Sequence, residues 1–150
     1  MLTVIMKEDN TADLSQLGSQ ETKYNYDSPG PEILETFENQ FPKRNYMVEY
    51  DFREFSSLCP KTGQPDTANI IIEYVPDKKC IETKSLKLYY LAFRNHGAFM
   101  ETITNTILEH CKEVCDPRWM KVTAKFAPRG GTYINVTAET GEFPLDNETN

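Results

Sequence analysis

Cys59 and Asp66 stand seven residues apart in Phe55-Ser56-Ser57-Leu58-Cys59-Pro60-Lys61-Thr62-Gly63-Gln64-Pro65-Asp66. Pro60 and Pro65 withhold backbone donors and Gly63 permits positive φ, so this stretch is expected to turn back between two strands and bring the thiol near the carboxylate. A thiol with a reference pKa of about 8.5 is only a few per cent thiolate near neutrality, so its use as a nucleophile calls for a base or a positive field. Asp66 can serve as that base, or as the acid that later returns the proton. A half-buried structural cysteine in a turn has the same sequence, and the loop alone leaves the two readings level.

Other chemistry-bearing residues fall outside the loop. Glu82-Thr83-Lys84-Ser85-Leu86-Lys87-Leu88-Tyr89 sets a carboxylate and two ammonium groups around an expected helix start, where unpaired N–H groups favour an anion such as a phosphate. Arg129-Gly130-Gly131 offers a further cationic turn of close approach. Solvated surface charge is the ordinary fate of such lysines, although an acidic chain makes the cluster less ordinary. Glu101 can accept paired hydrogen bonds from the amidine edge of a guanine-like ring. His110, Cys111 and Cys115 share a helical face but lack Cys-x-x-Cys spacing, so no metal site is expected. No G-x-G-x-x-G or Walker-type loop occurs.

The elements that must hold these residues follow from periodicity. Residues 1–16 are aperiodic and read as an extension. Pro31 with Ile33, Leu34 and Phe37 predicts a short helix ending near Asn39. Tyr46, Val48, Tyr50 and Phe52 alternate with Met47, Glu49, Asp51 and Arg53, as a half-buried strand does. Beyond the cysteine loop, Ile70, Ile72 and Tyr74 interleave with Ile71, Glu73 and Val75 in a second strand, antiparallel to the first. Residues 80–84 read as short and extended. Residues 86–94 read as a helix with Ser85 near its N-cap, ended by His96-Gly97. A second helix is expected over 98–113, closed by Asp116-Pro117. Met120, Val122, Ala124 and Phe126 begin another strand, and Arg129-Gly130-Gly131 turns the chain into a last one over 132–138. The order ββααββ is that of an α+β layer, an antiparallel four-stranded sheet with two helices on one face. Its open edges would be removed by association into a larger closed sheet. From Glu139 the tail is acidic.

Composition narrows the function. At 150 residues with 39% hydrophobic side chains, the chain suits one domain, placed at 17–138. A net charge of -7 argues against nucleic acid as a direct partner. The opening MLTVIM is too short for a membrane span or signal peptide, so a cytoplasmic protein with free thiols is expected.

Glu-Thr-Lys-Ser-Leu-Lys-Leu-Tyr at 82–89 resembles the signature of the NADPH-dependent 7-cyano-7-deazaguanine reductases, the nitrile reductases of queuosine biosynthesis, in their short single-module form. The resemblance runs from about Leu17 to Ala138. It takes in Leu17-Gly18, Thr22, Tyr24, the cysteine loop, Phe93-Arg94-Asn95-His96-Gly97, Glu101 and Arg129-Gly130-Gly131. It implies the tunnelling fold, assembled as rings (an oligomeric barrel) with active sites between subunits. It also implies Cys59 as the nucleophile that forms a thioimide with the nitrile, and Asp66 as the acid. By the same resemblance, Ile81, Glu82, Thr83, Met100 and Glu101 hold the deazaguanine, and Lys84, Ser85, Lys87, Arg129, Gly130 and Gly131 serve NADPH. Thr83 replaces the usual Ser, and Met100 stands where a His often precedes the glutamate. A tunnelling-fold pterin or GTP cyclohydrolase, or a non-catalytic purine-binding protein, are the rival readings.

Overall fold

The computed structural model describes Ala12 and residues 23–144. The expectations for Leu17, Gly18, Thr22, nearly all of the extension and the end of the tail lie outside those residues. Strands β1 (Thr36–Glu38), β2 (Val48–Leu58), β3 (Pro65–Val75) and β4 (Lys79–Ile81) precede helices α1 (Thr83–Leu91) and α2 (Met100–Cys115). Strands β5 (Trp119–Phe126) and β6 (Asn135–Gly141) follow. The antiparallel order β2-β3-β5-β6 forms a four-stranded sheet, with β1 and β4 as a separate pair. The ββααββ order expected from the alternation is therefore the order of the main sheet.

Alternation decides which face is buried. Ile70, Ile72 and Tyr74 of β3 and Met120, Val122, Ala124 and Phe126 of β5 turn inward, where they meet Leu86, Tyr89 and Tyr90 of α1 and Ile103, Ile107 and Cys111 of α2. Both helices thus lie on one face. The other face is largely polar apart from Ile71, Val75 and Trp119, and Glu73 opposite Lys121 makes a cross-strand ion pair at 3.3 Å.

Strand β2 departs from simple alternation. Phe52 pairs with Ile70 but Phe55 with Ala68, so one extra residue sits in β2 between them. This bulge at Arg53-Glu54 reverses the parity, and Phe55 and Ser57 become the buried positions instead of Glu54 and Ser56. The bulge therefore sets which residues near the cysteine face the helices. The strand also continues through Leu58, and β3 starts at Pro65, so the expected loop contracts to residues 59–64.

Three further expectations need correction. Pro31–Ile33 is a single 3-10 turn, after which Leu34 is extended and Thr36–Glu38 pair with β4, so no helix reaches Asn39. The chain gains more by hydrogen bonding to β4 than by winding a short helix with few propagating residues. Helix α1 starts at Thr83 with Glu82 as N-cap, three residues ahead of the Ser85 cap expected, and ends at Leu91. Strand β6 runs to Gly141, past the boundary at Ala138. Trp119 donates to Glu139 at 2.8 Å and Phe143 stacks edge-on upon Trp119, so residues 139–143 are part of the fold.

The start of α1 is tied to the sheet by two phenols. Buried Tyr74 accepts the Ile81 N–H at 3.0 Å, and Tyr50 donates to the Ile81 carbonyl at 2.7 Å. Burial pushes both phenols up, which keeps them protonated as this pattern requires. Tyr74→Phe leaves the Ile81 N–H buried without a partner and is expected to lower stability by about 1–3 kcal/mol. A urea melt measures it, and an unchanged midpoint would show that the phenol does not hold this segment.

Candidate active site

The loop from Cys59 to Gln64 is closed by its own backbone. Cys59 N–H donates to the Gln64 carbonyl at 2.9 Å and Gly63 N–H to the Cys59 carbonyl at 3.0 Å, with Gly63 at φ +68. Cys59 is half-buried, whereas Cys80, Cys111 and Cys115 are buried. The Cys59 thiol is lowered from its ordinary value to about 7. The Thr62 side-chain hydrogen bond is the largest cause, followed by the backbone N–H groups of Thr62 and Lys61, with a smaller pull from Arg129. The loop is thus a nest that favours the thiolate. Burial instead pushes the Cys111 and Cys115 thiols up, which makes them poor nucleophiles.

Asp66 lies at the start of β3, directly opposite Ser57 of β2, and its side chain is 7% exposed. A carboxylate so buried needs a partner, and Arg129 Nε donates to its Oδ1 at 2.5 Å. The Arg129 Nη2 group reaches the Gln64 carbonyl at 3.3 Å, so one guanidinium ties the carboxylate to the end of the cysteine loop. The turn makes this reach possible. Arg129 and Thr132 exchange both backbone hydrogen bonds around Gly130 (φ +55) and Gly131 (φ +79), a tight hairpin turn that demands positive φ at both central positions. Arg129, expected to serve the cofactor, is therefore bonded to the residue expected to serve as acid.

The connection between the helices packs on the same place. Leu58 N–H donates to the His96 carbonyl at 3.0 Å and Ala98 N–H to the Leu58 carbonyl at 3.1 Å. Gly97 sits so close that a Cβ there would lie 3.2 Å from Pro60 Cα, which explains glycine at this position. Helix α2 begins three residues later. Its Glu101 is exposed and its carboxylate has no hydrogen-bond or ion-pair partner among the described residues, while Met100 is buried in the core. Met100 brings packing here and no polar group.

The remaining expected residues gather at the start of α1. Ile81 is buried, and Glu82 accepts from the Lys84 and Ser85 N–H groups, each at 2.8 Å. Those bonds, Lys84 first, hold its carboxyl below the usual range. The backbone donors expected to meet a phosphate are thus taken by this carboxylate, although each of its oxygens keeps a lone pair for a ligand. Ser85 is 4% exposed; its hydroxyl donates to the Glu82 carbonyl and accepts from Glu35 N–H, so it serves as an internal tie. Thr83 and Lys87 border a groove of ≈ 220 Å³ between β2 and α1, with Tyr50, Phe52 and Tyr90. Lys84 and Lys87 are exposed and without a carboxylate partner among the described residues. The chain therefore presents two clusters, one around Cys59, Asp66 and Arg129 and one around Glu82, Lys84 and Lys87. No described hydrogen bond or ion pair joins them.

His110 accompanies neither cluster: its Nδ1 lies 2.8 Å from the Tyr89 hydroxyl, and Cys111 and Cys115 beside it face the core. Sequence reasoning missed Thr62 as the donor to the thiol and Ser57 as the residue facing Asp66. Both lie in the quoted loop, and the phase break from Phe52 to Phe55 was the signal for the second.

Residues 65–144 match the family model described as QueF-like protein. A protein named NADPH-dependent 7-cyano-7-deazaguanine reductase from Desulfovibrio desulfuricans is 51% identical over 132 residues, 88% of this chain and 79% of that relative. One of the same name from Bacillus cytotoxicus is 52% identical over 134 residues, 89% of this chain and 81% of that relative. Among solved structures, the apo crystal structure of the archaeosine synthase QueF-Like aligns with a TM-score of 0.60 at 26% identity, covering 65% of this chain and 96% of its own.

The thiol field gives a direct test. With its pKa lowered to about 7, Cys59 gains thiolate as pH rises through 7, so iodoacetamide alkylation should reach half its plateau rate there. Thr62→Val should move that midpoint upward, because the largest stabilising donor is lost. Peptide mapping should find Cys80, Cys111 and Cys115 unmodified in the folded protein, and a midpoint near 9 would contradict the loop's electrostatics.

Proposed function

Because this chain belongs to the family of QueF-like proteins and NADPH-dependent 7-cyano-7-deazaguanine reductases, we propose that it reduces the nitrile of 7-cyano-7-deazaguanine to the primary amine, through a thioimide on Cys59. The observation that carries this reading is the half-buried Cys59 thiol, lowered to about 7, in a loop pinned beside the Asp66–Arg129 pair.

A nitrile carbon is a poor hydride acceptor until a nucleophile has added to it. Cys59 sulfur attacks that carbon, and the displaced π pair becomes a lone pair on nitrogen. Asp66 takes up the proton that Cys59 gives and delivers it to the nitrogen, so the thioimide forms without net charge. NADPH, when bound, supplies the two hydrides that bring the nitrile to the level of an amine. The same low pKa that makes Cys59 a nucleophile makes it a good leaving group when the carbon–sulfur bond breaks. Thr62 and the loop N–H groups receive the returning thiolate.

Substrate recognition falls to carboxylates. Glu101 is free to accept two donors from the guanine edge, and Glu82, fixed by its cap bonds, has lone pairs to accept more. Lys84 and Lys87 fit the phosphates of a dinucleotide, as unpaired cations beside the α1 groove. A groove of ≈ 220 Å³ lies below the usual ligand-pocket range of about 300–1,000 Å³ and holds only part of NADPH. Together with the separation of the two clusters and the open edges of β2 and β6, this supports a ring of chains whose sites are completed across subunit boundaries. The single domain, with Arg129 both pairing with Asp66 and lying near a cofactor phosphate, is part of the same proposal.

An absorbance trace at the NADPH band tests the reading. We expect two NADPH consumed per 7-cyano-7-deazaguanine. Lys84→Ala and Lys87→Ala should each raise the cofactor KM about tenfold to hundredfold, with a smaller fall in kcat, since a charged contact is worth roughly 1.5–3 kcal/mol in ground and transition states alike. No nitrile-dependent oxidation by the wild type would overturn the proposed activity, and an unchanged KM in both variants would release the lysines from the cofactor.

A further inference from the structure

Ser57 is completely buried and its hydroxyl oxygen has no hydrogen-bond partner among the described residues. Buried hydroxyls are ordinarily satisfied, because an unpaired one keeps its full desolvation penalty, so an orphan beside a reactive cysteine calls for a reason. Its surroundings supply one. Ser57 and Asp66 are direct cross-strand partners, buried on the same face of the sheet, and such pairs have Cβ atoms about 4.5–5.5 Å apart. Asp66 Oδ1 is held by Arg129, which is the one hydrogen bond of this carboxylate among the described residues. The pairing therefore sets the hydroxyl on the same face as, and directly across from, a carboxylate with one oxygen left unengaged among the described residues.

The two partners available to Asp66 differ in kind. A guanidinium only donates, so Arg129 pairs with the carboxylate and can accept nothing from the neutral acid. A hydroxyl both donates and accepts, so it can accept the hydrogen bond that the neutral acid offers, which a guanidinium cannot. A residue that must carry a proton to nitrogen needs a partner of the second kind at the moment it carries it. We propose that Ser57 is a positioning residue for Asp66: its buried hydroxyl is the partner to which the carboxyl turns, away from Arg129, when it bears the proton for transfer. This rests on the nitrile-reductase reading for its consequence in catalysis, but not for the pairing itself. The titratable and charged groups in the loops and turns that meet at Asp66 are Cys59 and Lys61 of the cysteine loop, Arg94 and His96 of the α1–α2 connection and Arg129 of the β5–β6 turn.

Ser57→Ala and Ser57→Thr separate this from a packing role. Ser57→Ala removes an orphaned polar atom and should raise the thermal midpoint. It should also lower kcat/KM for the nitrile roughly tenfold, about one hydrogen bond's worth. Ser57→Thr keeps the hydroxyl and should restore the rate. A Ser57→Ala enzyme with unchanged rate, or a Ser57→Thr enzyme as slow as Ser57→Ala, overturns the proposal. Carboxyl 13C titration of Asp66 decides the pairing without substrate, even if the wild type does not turn over the nitrile. A midpoint that falls in Ser57→Ala and holds in Ser57→Thr supports it, and one that does not move overturns it.

Discussion

A buried carboxylate held by a guanidinium is the constraint around which the site is built. Asp66 sits on the inner face of the sheet, where an unpaired charge would be costly, and Arg129 reaches it from a hairpin turn whose two positive-φ positions are both filled by glycine. That single contact, extended to the Gln64 carbonyl, fixes the mouth of the cysteine loop to the β5–β6 turn. From the other side, Gly97 lets the α1–α2 connection settle on Pro60 and places the start of α2 nearby. Three connections meet at the cysteine because one ion pair and one close approach require it.

The chemistry of Cys59 is a local product of this arrangement. Turning the chain through Thr62 and Gly63 aims a hydroxyl and successive N–H groups at the sulfur, so the thiolate is favoured by short dipoles more than by a formal charge. Arg129 contributes less to the thiol because its charge is already committed to Asp66. Division of labour follows: the loop generates the nucleophile, and the ion pair keeps the proton carrier beside it. The bulge at Arg53-Glu54 belongs to the same design, since without it Ser57 would face solvent and Ser56 would face Asp66.

Much of the fold was legible because its signals are local. The alternation of Ile70, Ile72 and Tyr74, the helical spacing of Ile103 and Ile107, and Gly130-Gly131 each reflect one element's own geometry. What could not be read depended on partners far along the chain. Thr36–Glu38 became a strand because β4 lies beside it, and Glu82 displaced Ser85 as the cap because the β1–β4 pairing sets where α1 begins. Arg129 was read as a cofactor contact, and nothing between residues 66 and 129 reveals that it bonds to Asp66. The roles of the site residues came from resemblance of motifs, whereas the orphaned hydroxyl of Ser57 is visible only in three dimensions.

The most direct measurement is intact-mass spectrometry of the protein mixed with 7-cyano-7-deazaguanine in the absence of NADPH. We expect one substrate mass added per chain, mapped to Cys59, absent in Cys59→Ala and formed roughly 10²- to 10⁴-fold more slowly in Asp66→Asn. An adduct that persists in Cys59→Ala, or wild-type protein that forms none, would contradict covalent nitrile chemistry at this loop.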